Sequence, residues 1–171
     1  MELFDYQKEG VEFIRKNKKV YIAFDMGMGK TITAVSGHDN IHDKNILIIA
    51  EKNEIVNSQN FKNEVENNFG DKYTYVSLRD VDIDDIPKSN VVCGINPDAL
   101  AKIPLEKLKE HFGSIIIDEA TMAKTTSTAR FKKIKKVCDS IEYLTLLSGT
   151  PMMNGASEIY APAPRRCAAV P

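Results

Sequence analysis

Val20-Tyr21-Ile22-Ala23-Phe24-Asp25-Met26-Gly27-Met28-Gly29-Lys30-Thr31 is an apolar run, a glycine-rich turn, a lysine and a hydroxyl, and a helix-compatible segment opens at Ile32. That order is the layout of a phosphate-binding loop. Backbone N–H groups of such a turn point inward at a polyphosphate, the lysine ammonium reaches the β and γ phosphates, and the hydroxyl that follows holds Mg²⁺. The general pattern G-x-x-x-x-G-K-[ST] has its first glycine where this chain has Phe24, so support from elsewhere in the chain is needed.

Ser114-Ile115-Ile116-Ile117-Asp118-Glu119-Ala120 supplies it. Three β-branched residues in a row fit a strand buried on both faces, as in a parallel sheet, and two carboxylates stand where that strand should end. Ligands gather at such carboxyl ends. In phosphate-loop enzymes an aspartate there binds Mg²⁺, and an adjacent glutamate orients or deprotonates the attacking water. Asp118 and Glu119 fit these roles in order. Either motif alone could be a tight connection or a solvated strand end; both, in this order, point to a nucleotide site.

Working outward, apolar runs recur at 20–24, 46–50, 73–78, 91–95, 114–117 and 143–147, with helix-compatible stretches between most of them. The alternation predicts an α/β domain with a mainly parallel sheet flanked by helices. Near the start, Tyr6, Gly10, Phe13 and Ile14 fall at helical spacing with Asp5 as the expected N-cap, and Arg15, Lys16, Lys18 and Lys19 complement the helix C-terminus.

At 171 residues the chain is long enough for one domain with a substantial core. A net charge of −1 gives no global pull toward nucleic acid, so any polyanion contact must come from local patches. No apolar run approaches a membrane span and Met1-Glu2-Leu3-Phe4-Asp5 is no secretory signal, which makes cytoplasm the default expectation, with no membrane partner. Cys93, Cys138 and Cys167 are odd in number and lack C-x-x-C spacing, which indicates neither a disulfide framework nor a zinc site. Residues 161–171, with alternating Ala and Pro and the pair Arg165-Arg166, break from the Lys-, Asn- and Ile-rich chain before them. They read as a shifted reading frame or sequence added in cloning, with a natural Pro-rich linker as the alternative.

Tyr143-Leu144-Thr145-Leu146-Leu147-Ser148-Gly149-Thr150-Pro151 is a further buried strand ending in a hydroxyl-bearing turn. With the loop and Asp118-Glu119-Ala120 it completes an ordered set that resembles helicase superfamily two, and more closely its Swi/Snf-type DNA-translocating ATPases and their phage and bacterial relatives. Leu3-Phe4-Asp5-Tyr6-Gln7 is similar to that family's entry motif. Phe24-Asp25-Met26-Gly27-Met28-Gly29-Lys30-Thr31 is similar to its D-E-M-G-L-G-K-T loop, in which no glycine is expected at Phe24. Asn60-Phe61-Lys62-Asn63-Glu64 resembles N-W-x-x-E, and Asn96-Pro97-Asp98-Ala99-Leu100 stands in place of S-Y-D-x-L. Asp118-Glu119-Ala120-Thr121-Met122-Ala123-Lys124 resembles D-E-A-H-x-I-K, Ser148-Gly149-Thr150-Pro151-Met152-Met153-Asn154 resembles T-G-T-P-x-x-N, and Glu158-Ile159-Tyr160 resembles E-L-Y.

The resemblance implies that residues 1–160 form an N-terminal RecA-like lobe that binds ATP and Mg²⁺. By its motifs Gln7 recognises adenine, Gly27, Met28, Gly29 and Lys30 cradle the phosphates, and Thr31 with Asp118 holds Mg²⁺. Glu119, with Lys30, is implied to be catalytic, and Ser148 and Thr150 to couple nucleotide state to nucleic acid, double-stranded DNA in an intact parent. Two departures stand out. Thr121 replaces a histidine that links the metal site to the last motif, and Glu51, near a usual proline, would repel DNA phosphate. The family's second lobe, which supplies arginines worth about 10³ to 10⁵ in rate, has no room in 161–171, so weak or no hydrolysis is expected of this chain alone. Rival readings are a DEAD-box-like RNA helicase lobe, disfavoured because Thr121 stands where the second aspartate belongs, a restriction-type translocase lobe, and a non-catalytic nucleotide- or partner-binding module.

Other constellations carry less. Asp80, Asp82 and Asp84 begin like a calcium loop, but Asp85 stands where glycine is needed and Val91 where the closing glutamate belongs. His38 and His42 could share a helix face as metal ligands, yet Asn40 and Asp43 suggest that the helix has ended. In Arg130-Phe131-Lys132-Lys133-Ile134-Lys135-Lys136-Val137 the apolar residues repeat at helical spacing among lysines, the pattern of an amphipathic surface helix, with DNA phosphate contact as the alternative.

Overall fold

The computed structural model describes residues 2–52, 55, 60–118 and 129–149. Glu119, Thr121, Thr150, Glu158-Ile159-Tyr160, Cys167 and the 161–171 segment lie outside them. Six strands form one sheet, all parallel: β1 (Lys19–Ala23), β2 (Asn45–Ile49), β3 (Thr74–Ser77), β4 (Val91–Ile95), β5 (Phe112–Ile117) and β6 (Tyr143–Ser148), in the order β1-β6-β5-β2-β4-β3. Each sits on one of the six apolar runs. The central runs are continuous rather than alternating because both faces are covered: every residue of β2 and β4 is buried.

Period-two alternation divides the side chains between two cores. Val20, Ile22, Ile46, Ile48, Val92, Ile116 and Leu147 point to one face, against α1 (Asp5–Lys16), α2 (Lys30–His38) and α3 (Asn60–Phe69). Leu47, Ile49, Cys93, Ile95, Ile115, Ile117, Leu144 and Leu146 point to the other, which α4 (Pro97–Leu100), α5 (Leu105–His111) and α6 (Ala129–Ser140) cover. On α6 the stripe Phe131, Ile134, Val137 and Cys138 is buried, while Lys133 donates to the Ile103 carbonyl at 2.8 Å and Lys135 pairs with Asp139.

The α1/α2 face carries two hydroxyls among its aliphatics, Ser114 and Thr145, and histidines answer both. His38 Nε2 lies 2.8 Å from Thr145 Oγ1, and His42 Nε2 hydrogen-bonds Ser114 Oγ. Helix α2 stops at His38 and Asn40 turns the chain at φ 62°, so the two histidines do not share a helix face. Burial holds the His38 pKa down at about 3 and also lowers that of His42, leaving both neutral.

One helix start differs from expectation. Phe4, not Asp5, occupies the N-cap of α1; its N–H donates to the Gln7 side-chain Oε1 at 3.0 Å, the back-reaching half of a capping box that needs no polar cap residue. The basic residues after that helix are tied down: Arg15 donates to the Ser36 carbonyl, Lys16 pairs with Glu12, Lys18 with Glu142, and Lys19 reaches the Cys138 carbonyl. In the acidic loop Asp82 caps a 3-10 turn by accepting from the Asp84 N–H, and Asp84 pairs with Lys107. Cys93 and Cys138 are buried free thiols, their pKa raised to about 12 by burial. Among the described residues no helix is long and apolar enough to cross a membrane.

Candidate functional site

Strand β1 ends at Ala23, and the chain must leave the sheet and enter α2 at Lys30 within six residues. Two left-handed residues make this possible, Gly27 at φ 81° and Gly29 at φ 68°, conformations that side chains disfavour. The turn is closed by the Met28 N–H on the Asp25 carbonyl at 3.3 Å. A side chain at Gly27 would meet nothing within 4 Å, so only its left-handed φ calls for glycine there, whereas a Cβ on Gly29 would stand 2.4 Å from Gln7 Nε2. Gly29 therefore has two reasons to be glycine.

That close approach joins α1 to the loop. Gln7 is 5% exposed; its amide oxygen takes the Phe4 N–H and its Nε2 donates to the Met28 carbonyl at 3.2 Å, where the Tyr6 hydroxyl also donates at 3.3 Å. Phe24, in the place of a first glycine, is buried under α1, edge-on to Tyr6 with ring centroids 5.4 Å apart. Gly10 leaves space for it, since a Cβ there would fall 3.4 Å from the Phe24 ring and 2.8 Å from Thr33. Phe24 is thus a packing residue that fixes the base of the loop.

At the helix start, Lys30 Nζ donates to the carbonyls of Phe24 and Asp25, both at 3.1 Å. These are neutral acceptors that an anionic oxygen would outcompete, because charge-assisted bonds are roughly twice as strong as neutral ones. Thr31 is buried, and Glu64 of α3 stands close enough for the Thr31 hydroxyl to act on its carboxyl. Burial of Glu64 raises its pKa, while the Thr31 hydroxyl and the charge of Lys30 act against the rise. Glu64 Oε2 is buried with no partner among the described residues.

The sheet brings the other expected residues to the same edge. Ser148 ends β6 in register with Ala23, and a Cβ on Gly149 would lie 3.8 Å from Lys30 Nζ, so β6 opens directly beside the lysine. Asp118 follows β5, its N–H donating to the Ile49 carbonyl at 2.9 Å. Since β5 is two strands from β1, Asp118 stands about 10 Å across the crevice from the end of β1, room for a cation and phosphate oxygens. Gln7, Gly27, Met28, Gly29, Lys30, Thr31, Asp118 and Ser148 therefore share the carboxyl edge of the sheet; Glu119 and Thr150 lie outside the described residues. Sequence reading counted Glu64 only as a motif letter and did not single out Tyr6. Glu64's approach to Thr31 crosses between helices, and no local spacing signals it.

A parallel sheet whose edge strand feeds such a loop, with the next carboxylate two strands away, defines a RecA-like lobe of the helicase type, a fold that uses nucleotide. Residues 1–153 match the family described as type III restriction enzyme, res subunit, and the chain belongs to that family. Within it the motif order resembles that of superfamily-two, Swi/Snf-type N-terminal lobes. The chain is 28% identical to a SWI/SNF-related matrix-associated actin-dependent regulator of chromatin subfamily A-like protein 1 of Xenopus laevis, over 92% of this chain and 16% of that protein. It is 27% identical to human chromodomain-helicase-DNA-binding protein 6, over 94% of this chain and 7% of that one. It thus spans less than a fifth of the length of these relatives. The Sulfolobus solfataricus SWI2/SNF2 ATPase core, solved in complex with dsDNA, superposes with a TM-score of 0.71 at 22% identity, over 94% of this chain and 35% of that one, a likeness of fold.

Proposed function

We propose that the chain is the ATP·Mg²⁺-binding lobe of a Swi/Snf-like, DNA-dependent ATPase. The observation that carries the reading is Lys30, held on two backbone carbonyls of the glycine loop, beside the end of β6. On nucleotide arrival the ammonium exchanges those carbonyls for phosphate oxygens, while the backbone N–H groups of the loop and the start of α2 face the same oxygens. Mg²⁺, held by Thr31 and Asp118, would neutralise charge between the β and γ phosphates. Gln7, already bonded to Met28, reads the adenine edge, so base recognition and loop shape share one side chain. Glu119 positions the attacking water. Ser148, at the end of β6, and Thr150 sense nucleotide state and pass it to bound nucleic acid.

Duplex DNA as the partner is supported by the Sulfolobus core, which was solved on it. Turnover and translocation belong to a whole protein with a second lobe whose arginines complete the site. ATP turnover of the purified chain, with and without duplex DNA, tests the proposal. DNA-stimulated hydrolysis lost in Lys30→Ala and Glu119→Gln would sink a binding-only module. Failure to bind ATP analogues with Mg²⁺ would sink the nucleotide reading altogether.

A further inference from the structure

The Met28 carbonyl accepts twice, from the Tyr6 hydroxyl at 3.3 Å and from Gln7 Nε2 at 3.2 Å, so both lone pairs of its oxygen are engaged from α1. Tyr6 is itself fixed, its ring parallel to Phe4 at 5.8 Å between centroids and edge-on to Phe24 at 5.4 Å. Phenylalanine would make the same ring contacts, so packing does not call for the hydroxyl. The peptide it holds joins Met28 to Gly29, whose φ is 68°. Left to itself such a peptide can turn over, because that turn reverses the φ of Gly29 and glycine accepts either sign about equally. No peptide bond among the described residues is cis, so the Met28 C=O and the Gly29 N–H point in opposite directions. With the carbonyl held toward α1, the N–H faces away from that helix, and it has no hydrogen-bond partner among the described residues.

We propose that Tyr6 is a positioning residue for the phosphate loop: with Gln7 it clamps the Met28 carbonyl and so keeps the Gly29 N–H turned toward an incoming phosphate. The inference rests on the nucleotide reading above and adds to it the residue that sets one of the loop's donors before nucleotide arrives. Neighbours on α1 thereby take different tasks. Gln7, bonded to the Phe4 N–H and the Met28 carbonyl, still has one N–H and one lone pair to offer a base edge. Tyr6 acts on the phosphate side alone.

The full chain is titrated with Mg²⁺-tripolyphosphate, which has no base, and with Mg²⁺-ATP. Tyr6→Phe keeps the rings in place and loses only the hydroxyl. It should weaken both ligands by the same factor, about three- to tenfold, as expected for one neutral hydrogen bond. A second measurement reads the peptide itself. In the ligand-free chain labelled with ¹⁵N-glycine, the Gly29 amide should give one sharp signal in the parent and an exchange-broadened or doubled one in Tyr6→Phe, restored to a single signal by saturating tripolyphosphate. Parental tripolyphosphate affinity in Tyr6→Phe, a loss confined to ATP, or a Gly29 signal unaltered by the substitution would each overturn the inference. A parent chain that binds neither ligand would instead remove the reading beneath it, and the ligand-free Gly29 spectra would still decide whether Tyr6 holds the peptide.

Discussion

The two ends of the sheet treat polar groups in opposite ways. At the amino ends most are closed into pairs: Asn45 accepts the Val91 N–H and donates to the Pro87 carbonyl, Ser114 and Thr145 each hold a histidine, and Lys44 reaches the Lys109 carbonyl, while His38 Nδ1 and His111 Nδ1 stay buried without a partner among the described residues. At the carboxyl ends they are held more loosely, with Lys30 on neutral carbonyls and Glu64 Oε2 without a partner among the described residues. Polar groups at one end thus mainly serve stability, and those at the other fit the nucleotide site proposed above. Substitutions should separate accordingly, the first end changing unfolding free energy and the second changing binding.

Lys30→Ala is the strongest test. Removing two charge-assisted bonds to phosphate, at about 1.5–3 kcal/mol each, should weaken ATP-analogue binding about a thousandfold by calorimetry, with the urea midpoint hardly moved. A large loss of stability would break the comparison. Next comes Asn45→Ala, which orphans a buried N–H and a carbonyl and should cost about 3 kcal/mol of unfolding free energy while nucleotide affinity holds.

Acid should act at the paired end. His38 is neutral in the fold with a pKa of about 3, against 6.5 when exposed, so below pH 6.5 the unfolded chain binds a proton that the folded chain does not. The stability this contributes is complete above pH 6.5 and is lost as pH falls toward 3, at up to about 1.4 kcal/mol per unit. Urea unfolding at pH 7 and pH 5 should differ by about 2 kcal/mol from this residue, and His42 and His111, whose pKa values are also lowered, add in the same direction. His38→Gln should flatten the profile. The smallest effect sharpens the boundary: Gly29→Ala meets a left-handed φ and the Gln7 amide, and should cost about 1 kcal/mol together with some affinity, since this residue serves both packing and the loop.

The strands were legible because runs such as Ile46-Leu47-Ile48-Ile49 carry burial on both faces in their composition, and the nucleotide loop because glycine spacing reports backbone shape directly. What escaped were contacts between residues distant in the chain. His38 and His42 looked like a candidate metal pair at helical spacing, but their partners are strand hydroxyls more than seventy positions away. Asp5 has the chemistry of a cap, yet the cap bond is made by Gln7, whose other hydrogen bond goes to Met28 and cannot be seen from the local pattern. Glu64 is the sharpest case, since only the packing of α3 beside α2 brings its carboxyl near Thr31 and Lys30.

Among the described residues, strand β1 lies at the edge of the sheet and pairs on one side only, with β6, Lys19 opposite Leu144. On a ribosome the loop-bearing strand is therefore made first of these six strands and is the last of them to find its neighbour. Until residues 143–148 emerge, β2, β4 and β5 can assemble around one another while Val20, Tyr21 and Ile22 wait with both edges unpaired, and such a wait is a window for chaperone capture or aggregation.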